Sequence, residues 1–288
     1  GSPPNGIYMR FMEQTYGQVV SIASWMKVGV PVTLLLFIVS FFVLTGLMFR
    51  NMGGSVPGGK EWVRNELRSM GKLSTGEKAV GLCFLIAAVL WFSGAQLRGI
   101  NIDGWQPFKY LTDAVIAMGM GIVPFLIPVD RKGTMAMDWK TANEAISWDV
   151  LLLFGGGLSL ASAIQHTGVA QLIGAQVAVL AGSPFPVVLF GVVFIVTFAT
   201  GVTSNTALAA MMMPLLAAVA NALGLPPQPI LMGTALAASA AFILPISTPP
   251  NAIVFGTGKI KIADMFRAGI LINFVAIFVI TGVMLLLD

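Results

Sequence analysis

The sequence is short of charge, and the shortage is greatest in its second half. Only 10% of the 288 residues are Asp, Glu, Lys or Arg, whereas about a quarter of a soluble domain is charged. None of these four residue types occurs between Asp149 and Lys259. A water-soluble fold needs charged side chains on its surface, but each charge at a bilayer centre costs roughly 2.5–3.5 kcal/mol. The sequence therefore excludes an ordinary soluble domain and predicts an all-α, polytopic membrane protein.

Cysteine and histidine are nearly absent. The one cysteine, Cys83, cannot support a disulfide framework. The one histidine, His166, follows an apolar run, where a lone histidine is more often an interface residue than a proton relay. The sequence contains no Ser–His–Asp set, no metal-ligand cluster and no pair of catalytic acids, so we do not expect an enzyme. The excess of basic residues lies in a few loops, as in membrane proteins, so nucleic acid is not an expected partner.

Long apolar runs are what the sequence has instead. About 20 apolar residues cross the hydrocarbon core as a helix. Four clear spans are predicted at 28–48, 79–95, 111–129 and 268–287. Shorter apolar pieces, interrupted by small and polar residues, lie at 150–165, 168–181, 186–203, 207–223 and 229–246.

The basic loops set the predicted orientation. Segment 50–78 carries six Lys and Arg residues, which places it in the cytoplasm. Alternation of the spans then puts residues 130–149 and 256–267 inside as well. The loop with Arg98 lies outside, and so does Asp288.

Part of the cytoplasmic segment has a helical pattern. Val63, Leu67 and Met70 recur at helical spacing between charged residues. The pattern predicts an amphipathic helix, which either connects two spans along the headgroups or orients a moving domain.

Two short segments of the chain match each other. Ser-Pro-Pro-Asn stands at 2–5 and Thr-Pro-Pro-Asn at 248–251, and each precedes a basic turn and a clear span. The basic turns lie at 25–29 and 265–269, and the two spacings differ by six residues. The spans that follow run in opposite directions, which is the pattern of an inverted-topology repeat. A proline pair inside an apolar helix would break it and free backbone carbonyls. This is either a simple kink or part of an ion or substrate site, and the inverted duplication favours a site.

A polar, uncharged segment at 200–206, Thr-Gly-Val-Thr-Ser-Asn-Thr, separates two apolar pieces. Its position suits the tip of a helical hairpin. The arm that ends there directs carbonyls at the tip, where they suit a small cation, and the arm that begins there offers N–H groups to a carboxylate. The same residues could equally join helices by hydrogen bonds.

Ser-Asn-Thr at 204–206, together with Ser-Thr-Pro-Pro-Asn at 247–251, resembles the divalent anion/sodium symporters, which carry succinate, malate, citrate and related anions. The resemblance covers the chain from Gly1 onward. It implies an inverted-repeat transporter with a re-entrant helical hairpin and broken helices. Family members carry another Ser-Asn-Thr hairpin upstream, and this sequence has only one. We therefore expect a carboxyl-terminal half, which is either a fragment or a chain whose other half is supplied separately. Its start without methionine fits an interior cut and favours a fragment.

The resemblance also implies what is bound. Sodium is the expected coupling ion, and a dicarboxylate or citrate is the expected substrate. A homodimer of the full-length chain, multi-pass in the bacterial inner (plasma) membrane and surrounded by the lipid bilayer, is the expected assembly. The alternative is a proton-coupled antiporter or anion-efflux permease of related fold. Such a site usually needs a buried carboxylate or histidine, whereas the residues at 200–206 are neutral.

By the same resemblance, residues of the tip and of the facing motif are expected to bind. The substrate residues are Asn205, Thr206, Thr248 and Pro249. The sodium residues are Thr200, Thr203, Ser204, Asn205, Ser247 and Pro249, with Gly1 and Ser2 from the first repeat. Because no Lys or Arg lies near the tip, sodium and helix N-termini have to balance a bound dianion.

The predicted organisation has four parts. Residues 1–27 end the first repeat with a broken helix, and residues 28–149 form scaffold spans and the cytoplasmic connector. Residues 150–267 form the transport region with the hairpin and the second broken helix. Residues 268–288 form the last span.

Overall fold

The computed structural model describes residues 2–48, 59–131, 133–146, 182–256, 258 and 260–286, with a few positions between 148 and 172 (148, 152, 155–156, 159, 162–163, 166–169 and 172). The predicted pieces at 150–165 and 168–181 lie largely outside the described residues. Within the described residues there is no β-strand, only two isolated bridges. The α-helices in chain order are α1 (Pro3–Tyr16), α2 (Ile22–Phe42), α3 (Gly59–Ser69), α4 (Thr75–Arg98), α5 (Asp113–Ile122), α6 (Trp139–Ala145), α7 (Phe185–Ala199), α8 (Asn205–Leu223), α9 (Pro227–Ser239), α10 (Pro249–Gly256) and α11 (Ile262–Leu286).

The prediction of an all-α, polytopic membrane protein is confirmed. Among the described residues, four helical stretches are long and apolar enough to cross a bilayer. They are Ile22–Met48, where α2 continues as a π-helix, Thr75–Gly94, Asn205–Leu223 and Ile262–Leu286. Large apolar side chains remain exposed on α2, with Leu34 at 55% and Phe37 at 69%. Lipid can cover such a surface, whereas water would make it costly.

The chain divides into two units. One comprises residues 1–20, 26–51 and 147–288, and the other comprises 21–25 and 52–146. The second unit contains α3, which confirms the helix predicted from the charged pattern near Leu67. It also contains α4 packed against α5.

The third predicted span is longer than the helix that forms. The α-helix α5 has 10 residues, and a 3₁₀ turn (Val123–Leu126) follows it. Pro124 lies in this turn, lacks a backbone N–H and disfavours continuation of the α-helix. The apolar run at 111–129 is therefore only partly helical.

A carboxylate organises one end of the second unit. The Asp113 carboxylate accepts a hydrogen bond from the backbone N–H of Ile22 at 3.1 Å and lies 3.9 Å from the Arg98 guanidinium. Arg98 also donates to the Leu111 carbonyl at 2.9 Å, and Trp91 donates to the Asp113 carbonyl at 3.1 Å. The start of α2, the end of α4 and the start of α5 therefore share one face, as the predicted alternation requires.

Within the first unit, α7, α8, α9 and α11 pack together, and α1 packs against α8 and α9. Gly233 on α9 allows close approach to α7, since a Cβ there would lie 3.4 Å from the side chains of Leu189 and Val193. Five aromatic rings form a continuous seam between α7 and α11. These rings belong to Phe190, Phe194, Phe198, Phe274 and Phe278.

The repeated motifs begin helices and do not interrupt them. Helix α1 starts at Pro3 and α10 starts at Pro249, where the missing N–H of proline has no intrahelical acceptor to lose. The expectation of a proline pair inside a helix was wrong for the second copy, which has described structure on both sides. The discontinuity lies before the second pair, at residues 240–248 between α9 and α10, which we call the break. Its backbone includes a 3₁₀ turn, Pro245–Ser247.

The helices explain the unequal spacing of the repeat. Helix α1 has 14 residues and α10 has 8, which accounts for the six-residue difference. The basic turns lie inside helices, because Lys27 and Arg267 both stand at the sixth position, in α2 and α11 respectively. The weak repeat in the sequence therefore corresponds to two matching pairs of helices.

Candidate functional site

The polar segment lies between two helices, and its role as the tip of a hairpin stays a prediction. Helix α7 ends at Ala199 and α8 begins at Asn205, with residues 200–204 between them. Ser204 is the N-cap of α8, and its hydroxyl lies 3.5 Å from the backbone N of Ala207. At this tip α7 therefore presents its last carbonyls, and α8 presents N–H groups that helical geometry leaves without an intrahelical partner.

The tip contains a buried concentration of oxygen atoms. The Thr200 hydroxyl lies 2.7 Å from the Asn205 side-chain oxygen and 2.8 Å from the Ala238 carbonyl, and Thr200 is fully buried. A hydroxyl has one proton, so it can serve only one of these two oxygens at a time. Hard cations prefer oxygen ligands, so a group of oxygens that share one proton is chemically suited to a small cation.

The break faces the tip. The buried Ser247 hydroxyl donates to the Gly201 carbonyl at 3.0 Å and accepts from the Leu244 N–H at 3.3 Å. The end of α9 approaches the same place through Ala238, as described above. Thr200, Asn205 and Ser247, all predicted from the sequence to bind sodium, are thus brought together by the fold.

Asn251 holds the break in shape. Its side-chain amide donates to the carbonyls of Ala241 at 3.0 Å and Leu244 at 3.1 Å. Carbonyls released from helical hydrogen bonding need a partner at membrane depth, and one amide here serves two of them. The sequence analysis included Asn251 in the repeated motif but assigned it no role. Its recurrence as Asn5 in the first copy was the available signal.

The start of α1 meets the end of α9. The hydroxyls of Ser2 and Ser239 lie 2.5 Å apart, and the Asn5 amide lies 3.4 Å from the Ser2 hydroxyl. Ser239 follows Ala238 directly, so the last turn of α9 contacts both the hairpin tip and the first repeat. These three polar residues also line an open cavity of about 560 Å³ whose other walls are mainly apolar.

The other residues predicted to bind differ in their burial and in their hydrogen-bond partners. Thr203 is exposed and donates to the carbonyl of Ala199, the last residue of α7, at 2.8 Å. Thr206 is 8% exposed, and Thr248 accepts from the Asn251 N–H at 3.4 Å at the start of α10. Gly1 lies outside the described residues, as does the side chain of Pro249. The assignment of these residues to substrate or sodium stays a prediction.

Two residues of α11 that were not predicted to take part lie against the break and the end of α7. A Cβ on Gly269 would lie 2.3 Å from the carbonyl oxygen of Phe242, inside the break. Asn273 is fully buried, and its side-chain amide lies 3.4 Å from the Thr197 carbonyl, near the tip. An amide in an otherwise apolar span was a signal for Asn273, but the sequence did not indicate its partner.

His166 is not part of this arrangement in the described residues. Its ring is exposed, and Nδ1 lies 2.8 Å from the carbonyl of Ser162, one turn earlier in the chain. This local hydrogen bond agrees with the preference for an ordinary interface role over a proton relay.

The comparisons with known proteins cover almost the whole chain. A family model described as the sodium:sulfate symporter transmembrane region matches residues 1–287. A protein of Staphylococcus saprophyticus named sodium-dependent dicarboxylate transporter SdcS is 37% identical over 283 residues, which are 97% of this chain and 53% of that protein. The protein of the same name from Staphylococcus aureus is 37% identical over 282 residues, with the same coverage of both chains.

The chain spans about half the length of the curated relatives it matches, and the matched half is their carboxyl-terminal one. The relatives are bacterial transporters, and the described helices include four that could span a bilayer. The predicted location, integral and multi-pass in the bacterial plasma membrane, is confirmed. The match to the family model, the two relatives and the paired Ser-Asn-Thr and Thr-Pro-Pro-Asn motifs agree, and the chain belongs to the sodium:sulfate symporter transmembrane family, the divalent anion/sodium symporters that its sequence resembles.

Proposed function

We propose that the whole protein is a sodium-coupled symporter of divalent anions such as C4-dicarboxylates, with sodium as the co-transported ion and no enzymatic activity. The observation that carries this proposal is the oxygen-rich and uncharged junction formed by the buried residues Thr200, Ala238 and Ser247 with the half-buried Asn205. Such a junction lacks a cation of its own. Sodium would supply the missing positive charge, and the names of the relatives support sodium and dicarboxylate as the transported pair.

Three helix N-termini meet at this junction and favour an anion. Helix α1 starts beside Ser239, α8 starts at the tip, and α10 starts two residues after Ser247. The N-terminal end of each helix dipole is positive. Because α1 and α10 both begin with proline pairs, their first positions offer no N–H. The backbone donors for a carboxylate therefore have to come mainly from α8, at Asn205 and Thr206.

The hairpin is proposed to enter the membrane from outside and to turn back near the middle. Gln18 after α1, Pro226 before α9 and Met284 near the end of α11 line one cavity of about 490 Å³, so these ends share a face. That face is the predicted outer one. Helix α1 rises ~21 Å over its 14 residues, which is about half of a bilayer of about 40–45 Å. The start of α1 and the hairpin tip therefore lie near the midplane, where transporters of this type place their sites.

The direct test is uptake of labelled succinate by the full-length protein in proteoliposomes. At fixed ionic strength, sodium is replaced by choline, and a proton gradient is imposed or removed independently. We expect uptake to require sodium and to be insensitive to the proton gradient. Uptake that persists in choline and collapses without a proton gradient would instead establish the proton-coupled alternative. A homodimer of the full-length chain remains part of the proposal, and its mass in detergent by light scattering tests it.

A further inference from the structure

Helix α11 contacts the break and the end of α7, on two sides of the proposed sodium site, through two residues one turn apart. Gly269 and Asn273 are separated by four positions and so lie on the same face of the helix. Gly269 contacts the break and Asn273 contacts the hairpin arm α7. Both residues lie in a helix that the sequence analysis treated only as a last span.

At Gly269 the backbone of α11 lies directly against the break. A Cβ at this position would lie 2.3 Å from the Phe242 carbonyl oxygen and 2.5 Å from the Ile243 Cα. Real Cβ atoms do not approach backbone so closely, so any larger side chain has to push the break away. Phe242 is five residues before Ser247 in the break and four residues after Ala238 at the end of α9, so a displaced break would shift the Ser247 hydroxyl and pull on the turn that carries the Ala238 carbonyl.

The Asn273 side chain donates to a backbone carbonyl in the last turn of α7. In that turn the N–H of Thr200 bonds to Val196 and the N–H of Gly201 bonds to Phe198. The carbonyl of Thr197, which lies between these two acceptors, instead receives the Asn273 amide at 3.4 Å, at the long end of the hydrogen-bond range. Thr197 and Asn273 are both fully buried. A buried amide among apolar helices is costly without such a partner.

We propose that the Gly269–Asn273 face of α11 is a positioning element of the sodium site. It holds the break and the end of α7 at a fixed separation, so that the oxygens of Thr200, Ala238 and Ser247 stay close enough to share one cation. This inference rests on the proposed function and adds to it two residues that do not touch the ion. Substitutions on this face should therefore weaken sodium binding more than they weaken binding of the anion.

The first experiment compares two glycines of the same helix in the full-length protein. A Cβ on Gly282 meets nothing within 4 Å, whereas one on Gly269 meets the break. We expect Gly269→Ala to raise the half-saturating sodium concentration roughly tenfold or more, as for loss of about 1.4 kcal/mol. The substrate KM at saturating sodium should change by less than about twofold, and Gly282→Ala should leave both quantities unchanged.

Asn273 gives a second and gentler variant. Asn273→Leu keeps the volume and removes the donor, so the half-saturating sodium concentration should rise roughly three- to tenfold. Asn273→Gln keeps an amide and should recover part of the loss. Sodium-dependent thermal stabilisation in detergent gives a readout that does not depend on transport. If Gly269→Ala does not fold, the same measurement on the Asn273 variants decides the case.

The outcomes separate this inference from the proposed function. Wild-type protein that shows no sodium dependence refutes the proposed function and the inference together. Wild-type protein with sodium dependence, and Asn273→Leu with unchanged sodium half-saturation but a lower melting temperature, refutes the inference alone. In that case α11 only packs against the site.

Discussion

Two polar junctions of this chain are built from different chemistry. In the second unit, the Asp113 carboxylate has a resident cation, Arg98, at 3.9 Å and also accepts from the Ile22 N–H. In the first unit, the junction at the tip consists of neutral oxygens from Thr200 and its neighbours, in a stretch of sequence without any Asp, Glu, Lys or Arg. A fixed cation makes a permanent connection between helices. A site that binds and releases a cation has to offer oxygen ligands and must not contain a positively charged residue of its own.

Loss of a single oxygen at the tip should cause the largest fall in sodium-driven uptake. Thr200→Val in the full-length protein removes the hydroxyl between Asn205 and Ala238 at nearly constant volume. We expect sodium-driven succinate uptake to fall roughly tenfold to hundredfold, on the scale of 1.5–3 kcal/mol for a hydrogen bond to a charged group. The half-saturating sodium concentration should rise correspondingly.

Thr234→Val is the matched control for that substitution. Thr234 is also a fully buried threonine of the first unit, but its hydroxyl bonds to the Ile230 carbonyl one turn earlier in α9. Sodium dependence should be unchanged in this variant. Equal losses in the two variants would mean that any buried threonine matters and that the tip is ordinary helix contact.

A substitution at the charged junction should lower the stability of the protein and leave sodium binding unchanged. Asp113→Ala removes the acceptor at the start of α2 and the partner of Arg98. The side chains of this pair are about a quarter exposed, so we expect a loss of only about 1–2 kcal/mol from the cap and the ion pair. Thermal unfolding in detergent should shift to lower temperature while half-saturating sodium stays constant.

Glu144→Ala gives the control for Asp113→Ala, because Glu144 is exposed on α6 in the same unit. It should leave the unfolding temperature unchanged. A rise in half-saturating sodium in Asp113→Ala alone would contradict the contrast between a structural junction and a binding junction.

The smallest effect on transport is expected from cysteine substitutions that serve to label the two faces of the membrane. In a Cys83→Ser background, Gln18→Cys and Lys72→Cys should both transport normally, because both side chains are exposed. A membrane-impermeant maleimide applied from outside should label position 18 and spare position 72. The reverse pattern would overturn the predicted orientation and with it the direction from which the hairpin enters.

The sequence predicted features that are local in the chain. The connection at 200–204 between α7 and α8 was readable because polar residues interrupt an apolar stretch, and the motif at 248–251, where α10 begins, was readable because it is repeated. The location of the discontinuity before the proline pair, and not within a helix, follows from the preference of proline for the first turn of a helix.

Contacts between distant segments could not be predicted. Gly269 meets Phe242 and Asn273 meets Thr197, and the second pair is 76 positions apart in sequence. A glycine in an apolar span has several common explanations, and only the backbone geometry shows that no side chain fits at this one. The length of α5 was overestimated for a related reason, because hydropathy does not register the effect of Pro124 on the helix.

The central claim is that sodium supplies the charge that the tip lacks, and the sodium dependence of succinate binding tests it most directly. Binding of succinate to the full-length protein is measured by calorimetry across sodium concentrations, and binding of sodium is measured with and without succinate. Thermodynamic linkage requires that each ligand raise the affinity of the other by the same factor, so the two measurements check each other. We expect equal factors well above one in the wild type, and factors near one in Thr200→Val. Succinate that binds with the same affinity in choline as in sodium would contradict the account.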